Sequence, residues 1–247
     1  MLIDTHCHLF NEYYSNLDEL IKEMEKENIY AIVNGCNSKT SEEVILLSKK
    51  YKNIYASIGY HPTEIEDISQ FNINELKDNI NNVVAIGEIG LDYYWNKDNK
   101  DFQIELLKRQ LAFAEEHKLP VIIHNREATM DIYNILKEYN VKGVIHAFSG
   151  SYEMAIKFID LGFKLGIGGV ITFKNSKLKD VIEKIDIKNI VLETDSPYLT
   201  PEPNRGKINS PLNLKYIAQF ISKLKDISYD EVVKITTNNA CCLFDLK

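Results

Sequence analysis

Short apolar runs alternate along this chain with longer amphipathic stretches. The runs cover 2–4, 31–33, 54–58, 83–86, 121–123, 143–145, 164–167 and 190–192. They are continuous, with no polar residue at every second place, as expected of strands buried on both faces of a parallel sheet. Between them, apolar residues recur at steps of three and four. Within 101–118, Ile104, Leu107, Leu111 and Ala114 line one helical face, and Pro120 follows the end. Comparable patterns cover 17–27, 41–50, 127–138, 152–161, 213–224 and 229–235. Eight strands alternating with helices predict an α/β fold, a closed (β/α)8 TIM barrel occupying 1–247 as one domain. A doubly wound open sheet is the competitor, but no GxGxxG follows the first run. No Pro/Gly/Ser-rich linker or low-complexity tract divides the chain.

Composition narrows the picture. Of 247 residues, 45% are apolar and 26% charged, the profile of an ordinary globular protein. No stretch reaches the ~18 consecutive apolar residues of a membrane helix. The start, Leu2-Ile3-Asp4, lacks the basic and apolar regions of a signal peptide. The four cysteines form no CxxC pair, so free thiols and a cytoplasmic location are expected. With 29 basic against 36 acidic residues the net charge is −7, which argues against coating nucleic acid by bulk charge. A local site is unaffected by that count.

In such a barrel the chemistry sits where the strands end. The first run leads into Asp4-Thr5-His6-Cys7-His8, the third into His61 and the fourth into Glu88 and Asp92. The fifth leads into His124-Asn125-Arg126, the sixth into His146 and the eighth into Glu193-Thr194-Asp195. Five of the six histidines lie at such ends, whereas chance would scatter them over helices and loops. His6 and His8, two apart on an extended segment, project to one face, leaving Cys7 to pack on the other. His6, His8, Glu88, His124, His146 and Asp195 exceed the three protein ligands of a single catalytic zinc. Two divalent ions sharing a carboxylate would use them all, the recurring arrangement for cleaving phosphoesters. Imidazole and carboxylate suit several divalent metals, with Mg²⁺, Mn²⁺ and Zn²⁺ all open.

The motifs DTHCH, GYHP, GEIGLDYY, PVIIHNRE, HAFSG and ETDSPYLTPEPNRGKINSP occur in the order found in the TatD family of metal-dependent hydrolases and deoxyribonucleases. SYDEVVKITTNNACCLF near the C-terminus extends the resemblance over nearly the whole chain. The resemblance implies a two-metal barrel that hydrolyses DNA phosphodiesters with an activated water, often as a 3′–5′ exonuclease on single strands. It implies no membrane and no obligate protein partner. By position, His6, His8 and Asp195 resemble ligands of one metal and His124 and His146 ligands of the second, with Glu88 bridging. Asp195 and Glu88 would be catalytic, and His61 would lie near the substrate phosphate as proton donor or hydrogen-bond donor. Arg205 comes from the loop after strand eight. Ala147 stands where cysteine is frequent and Ser210 where glutamate is common, and neither is a ligand position.

Other residues carry two readings each. Tyr94, in the Tyr93-Tyr94-Trp95 cluster, either stacks on a base or packs the loop against the rim. Among the nearby basic residues, Arg126 and Arg205 are the candidates for phosphate contact. Asp4 and Asp92 either orient a metal ligand or cap backbone. Gly166, Gly168 and Gly169 lack a Walker lysine, so close packing or a tight turn is expected. His117 reads as a surface residue at a helix end, and Cys241-Cys242 as packing residues. The alternative enzyme is an amidase, lactonase or phosphotriesterase on the same barrel. Those often bridge their metals with a carbamylated lysine after strand four, where this chain has Glu88. A non-catalytic barrel would predict gaps in the ligand set, and there are none.

Overall fold

The computed structural model describes every residue except Asp67, Asn96 and Lys247. Eight parallel strands follow one another in chain order around the sheet. They are β1 (Leu2–Cys7), β2 (Ile29–Asn34), β3 (Ile54–Ile58), β4 (Ala85–Asp92), β5 (Val121–Arg126), β6 (Gly143–Ile145), β7 (Phe163–Ile167) and β8 (Ile190–Leu192). The segment after β8 closes the ring against β1. Asp195 N donates to His6 O, His8 N donates to Ser196 O, and Thr5 Oγ1 donates to Leu192 O.

Nine helices are found among the described residues: α1 (Leu17–Lys26), α2 (Ser38–Lys50), α3 (Ile73–Asn79), α4 (Lys100–His117), α5 (Thr129–Leu136), α6 (Tyr152–Asp160), α7 (Leu178–Lys184), α8 (Leu214–Lys225) and α9 (Tyr229–Phe244). Side-chain caps start several of them. Asn37 and Thr40 form a reciprocal capping box on α2, and Ser151 and Ser228 accept from backbone N–H groups of α6 and α9. No helix among the described residues is long and apolar enough to cross a membrane.

Burial explains the pattern. Strand residues facing outward meet the helices in one large core, while Ile3, Ile32, Ala85, Ile122, Val144 and Val191 face inward as a second cluster. Ala240 and Phe244 of α9 plug that inner cluster. The barrel is therefore closed by hydrocarbon at one end, and polar side chains gather at the other.

Several boundaries differ from expectation. β1, β4 and β5 run past their apolar stretches, because polar side chains that point into the mouth leave the backbone ladder intact. The short helices α3 and α7 have few buried residues and gave no long periodic signal. The last helix reaches Phe244 instead of ending at 235. Cys242 is exposed rather than packed, while Cys241 packs partly against the barrel floor. All four cysteines are free thiols.

Candidate metal centre

Strand geometry builds the site. Side chains two residues apart share a strand face, so the inward Ile122 of β5 brings His124 and Arg126 round to the mouth. Val144 does the same for His146, and Val191 for Glu193, while Asp195 lies beyond β8 with a left-handed backbone (φ 53°). β1 and β4 need a further device. Their registers each take one extra residue, between Asp4 and Cys7 and between Ile86 and Ile89. That residue shifts the phase of the strand, so the inward Ile3 and Ala85 are followed three places later by His6 and Glu88. Cys7 is turned outward, fully buried, with Sγ 3.7 Å from Ile32 O.

Four side chains converge first. His6 Nε2 and His8 Nε2 lie 3.1 Å apart. Glu88 Oε2 is 3.3 Å from the first and 3.6 Å from the second. Asp195 Oδ1 is 3.6 and 3.7 Å from the same two nitrogens. Metal–ligand bonds of ~2.0–2.2 Å in a tetrahedron place the ligand atoms roughly 3.3–3.6 Å from one another. The donor atoms of this group thus stand at the spacing a divalent ion requires.

The other oxygen of Glu88 faces a second set. Oε1 lies 2.8 Å from His124 Nδ1, 3.6 Å from His61 Nε2 and 3.8 Å from His146 Nε2. His146 Nε2 is also 3.7 Å from Asp195 Oδ1. Triads His6–His8–Asp195, His6–Glu88–His146 and His61–Glu88–His124 could each hold a cation, as could His8–Cys36–Glu88.

Supporting groups fix the ring orientations. His8 Nδ1 meets Asn34 O at 3.3 Å, His124 Nε2 meets Asp92 Oδ2 at 3.0 Å, and His146 Nδ1 lies 3.0 Å from Glu193 Oε1. Each leaves the opposite nitrogen facing the centre, the usual way proteins aim histidine at metal. Asp92 also accepts from Tyr94 N and Trp95 N, so both of its expected roles are present. Asp4 braces backbone instead: it accepts from His6 N, Thr194 N and Thr194 Oγ1. Burial pushes the Asp4 carboxyl up to about 8, against the pull of those hydrogen bonds.

Electrostatics follow from crowding. Burial alone would raise Glu88, but His6, His61 and the bond from His124 hold it well below the carboxylate range. Burial would lower His146, yet Glu193 and Asp195 push it up to about 10. Burial lifts Asp195 to about 6 although His146 and His8 pull the other way. Burial, with His124 beside it, brings His61 down to about 3.

A cavity of about 1220 Å³ opens above these groups. Arg126 and Trp95 line it, with Tyr198 among other lining residues. Tyr93 is buried and donates to Asp131, whereas Tyr94 is half exposed with the Arg126 guanidinium 3.9 Å from its ring centroid. Arg205 lies outside the cavity, stacked on Phe173 and donating to Thr200 O. Ser210 likewise does not line the cavity, and Ala147 contributes its backbone N–H to Glu193. Two of the three glycines serve close packing: a Cβ on Gly166 would come within 2.1 Å of Glu193 Oε2, and one on Gly169 within 2.1 Å of Leu199 O, whereas one on Gly168 would meet nothing nearer than 3.6 Å. His117 is exposed at the end of α4.

Three residues of the site escaped the sequence analysis. Glu193 directly follows β8 and stands two places after the inward Val191, a signal that period two makes readable. Cys36 follows β2, with Sγ 3.9 Å from Glu88 Oε2. Trp95 belongs to the Tyr93-Tyr94-Trp95 cluster, and nothing in the sequence separates it from Tyr94.

Comparison with known proteins bears on the chemistry. The family model described as TatD related DNase matches residues 3–245. An uncharacterized metal-dependent hydrolase, YabD of Bacillus subtilis, is 43% identical over 252 residues, covering 99% of each chain. The crystal structure of YjjV, a TatD homologue from Escherichia coli, superposes with a TM-score of 0.91 at 30% identity, over 100% of this chain and 98% of that one. A TatD family hydrolase from Entamoeba histolytica gives a TM-score of 0.86 at 25% identity, over 98% and 97%.

Proposed function

Since the chain belongs to the TatD related DNase family of metal-dependent hydrolases, we propose that it cleaves phosphodiester bonds of DNA at a site for two divalent ions, acting from the 3′ end of single strands. One observation carries this reading: the two oxygens of Glu88 face two separate sets of imidazole nitrogens. A bridging carboxylate has that requirement and a mononuclear ligand does not.

In this reading His6, His8 and Asp195 would hold one ion and His124 and His146 the other, with Glu88 shared between them. Mg²⁺, Mn²⁺ and Zn²⁺ all suit the mixed nitrogen and oxygen donors. When bound, such ions supply Lewis acidity, acidifying water and neutralising phosphoryl charge. Asp195 lines the cavity beside His6 and His8 and would take the proton of the attacking water. His61 accepts from Thr63 N at Nδ1, so its proton resides on Nε2, the atom that faces the centre. It therefore donates a hydrogen bond to a phosphoryl oxygen and remains neutral. Arg126, lining the cavity, is the basic residue assigned to the phosphate, because Arg205 packs outside it. A net acidic chain then makes local, metal-dependent contact with a strand end instead of coating a duplex.

The test is degradation of end-labelled single-stranded DNA with Mg²⁺, Mn²⁺ or Zn²⁺, beside EDTA-treated protein, His124→Ala and Glu88→Ala. Stepwise loss of 3′ nucleotides by the wild type alone is expected. Activity confined to small esters or lactones overturns the nuclease reading, and full metal content in Glu88→Ala overturns the bridge.

A further inference from the structure

Trp95 is the chain's single tryptophan, and it is 69% exposed on the wall of the cavity that holds the candidate ligands. An aromatic ring of that size left in water forgoes burial that would stabilise the fold. Its surroundings keep it there. The ring stands edge-on against Tyr94, with centroids 5.0 Å apart and planes at 85°. The Arg126 guanidinium lies 3.9 Å from the Tyr94 centroid and 5.5 Å from the Trp95 ring. Glu127, the acidic neighbour of Arg126, pairs with Lys97 instead. Arg126 thus buttresses the aromatic pair while keeping charge at the cavity wall.

The backbone beneath is equally fixed. Oδ1 of the buried Asp92 accepts from both Tyr94 N and Trp95 N at 3.0 Å, while Oδ2 meets His124 Nε2. One carboxylate therefore ties the aromatic turn to a ring of the metal centre. The amide side chain of Gln103 clamps Asp92 in turn, accepting from Asp92 N at 2.8 Å and donating to Asp92 O at 3.0 Å. The backbone at Trp95, three residues beyond β4, is thereby tied to the end of the strand.

We propose that Trp95 is a stacking platform for one unpaired nucleobase of the strand, with Tyr94 and Arg126 as its support and Arg126 facing the adjoining phosphate. The proposal rests on the phosphodiesterase reading above and assigns the base-binding face to Trp95, since the guanidinium covers Tyr94. A single nucleic-acid strand is the occupant that matches an aromatic face, a cation beside it and a metal centre beyond. Stacking on a ring face tolerates any base, so no sequence preference follows.

The single tryptophan makes the test direct. The intact protein with Mg²⁺ is titrated with a phosphorothioate-linked oligothymidylate and with an abasic strand of equal length. The thymidylate is expected to quench tryptophan fluorescence and the abasic strand to leave it unchanged. With cleavable strands, the wild type is expected to favour thymidylate over abasic DNA through KM by about 10- to 100-fold, the range that base–aromatic stacking supports. In Trp95→Ala that preference collapses toward unity. Equal cleavage of the two strands by the wild type, or a preference that survives Trp95→Ala, overturns the platform and leaves the nuclease reading standing. Failure of the wild type to cleave either strand overturns the nuclease reading itself.

Discussion

The wholly buried carboxylate of Glu193 lies 3.0 Å from Nδ1 of His146, on the side of the ring away from the candidate metal centre. Its Oε1 also accepts from Ala147 N, and its Oε2 occupies space that exists because Gly166 has no side chain. Both the buried carboxylate and the glycine are explained if the pair aims His146 Nε2 at the candidate centre. Glu193→Ala is expected to weaken metal binding by about 10- to 100-fold, and Glu193→Gln, which keeps an acceptor oxygen, by less. Gly166→Ala should shift affinity in the same direction by displacing Oε2. Metal titration followed by elemental analysis checks all three. Unchanged affinity in Glu193→Ala would remove the positioning role.

His61 is predicted to act on substrate and not as a ligand. His61→Ala should keep its metal content while kcat falls on the order of 100-fold, as for other lost hydrogen-bond donors to a developing oxyanion. Loss of one equivalent of metal would instead place His61 among the ligands, alongside Glu88 and His124.

Metal removal should cost stability. The barrel holds the ligand atoms of each candidate triad within 4.8 Å of one another, and an ion that binds only this arrangement stabilises the folded state. At about 100 times Kd the gain is ~2.7 kcal/mol. For a chain of this size that corresponds to roughly 5–10 °C in Tm. Calorimetry with and without EDTA measures it, and an unchanged Tm would mean that the folded site binds no ion.

Phe244 tests the barrel floor. It is buried beneath Ile3, Ile32, Ile122 and Val191 at the far end from the mouth. Phe244→Ala should destabilise by roughly 3–5 kcal/mol in urea unfolding. A loss under about 1 kcal/mol would show that α9 is not a structural plug.

Much of this protein could be read from its residues. Eight continuous apolar runs separated by amphipathic stretches require two-sided strands covered by helices, and the barrel follows because each strand pairs with the next in chain order. The positions of His6, His8, Glu88, His124, His146 and Asp195 after apolar runs marked one end of that barrel as the reactive one. Hydrophobic periodicity could not report short helices such as α3 and α7, whose few buried residues complete no repeat. Nor could it report that β1 and β4 each take an extra residue, because a bulge is a property of the pairing between strands. That phase shift turns His6 and Glu88 inward, divides the oxygens of Glu88 between two sets of nitrogens and sets Cys7 in the outer core. Likewise, only packing separates Trp95 on the cavity wall from Tyr94 under a guanidinium and Tyr93 in the interior. The sequence by itself determined which chemical groups are present and at which end of the strands they gather. The tertiary structure decided which atom of each group faces which, because side-chain direction depends on register, twist and the neighbours that occupy the remaining space.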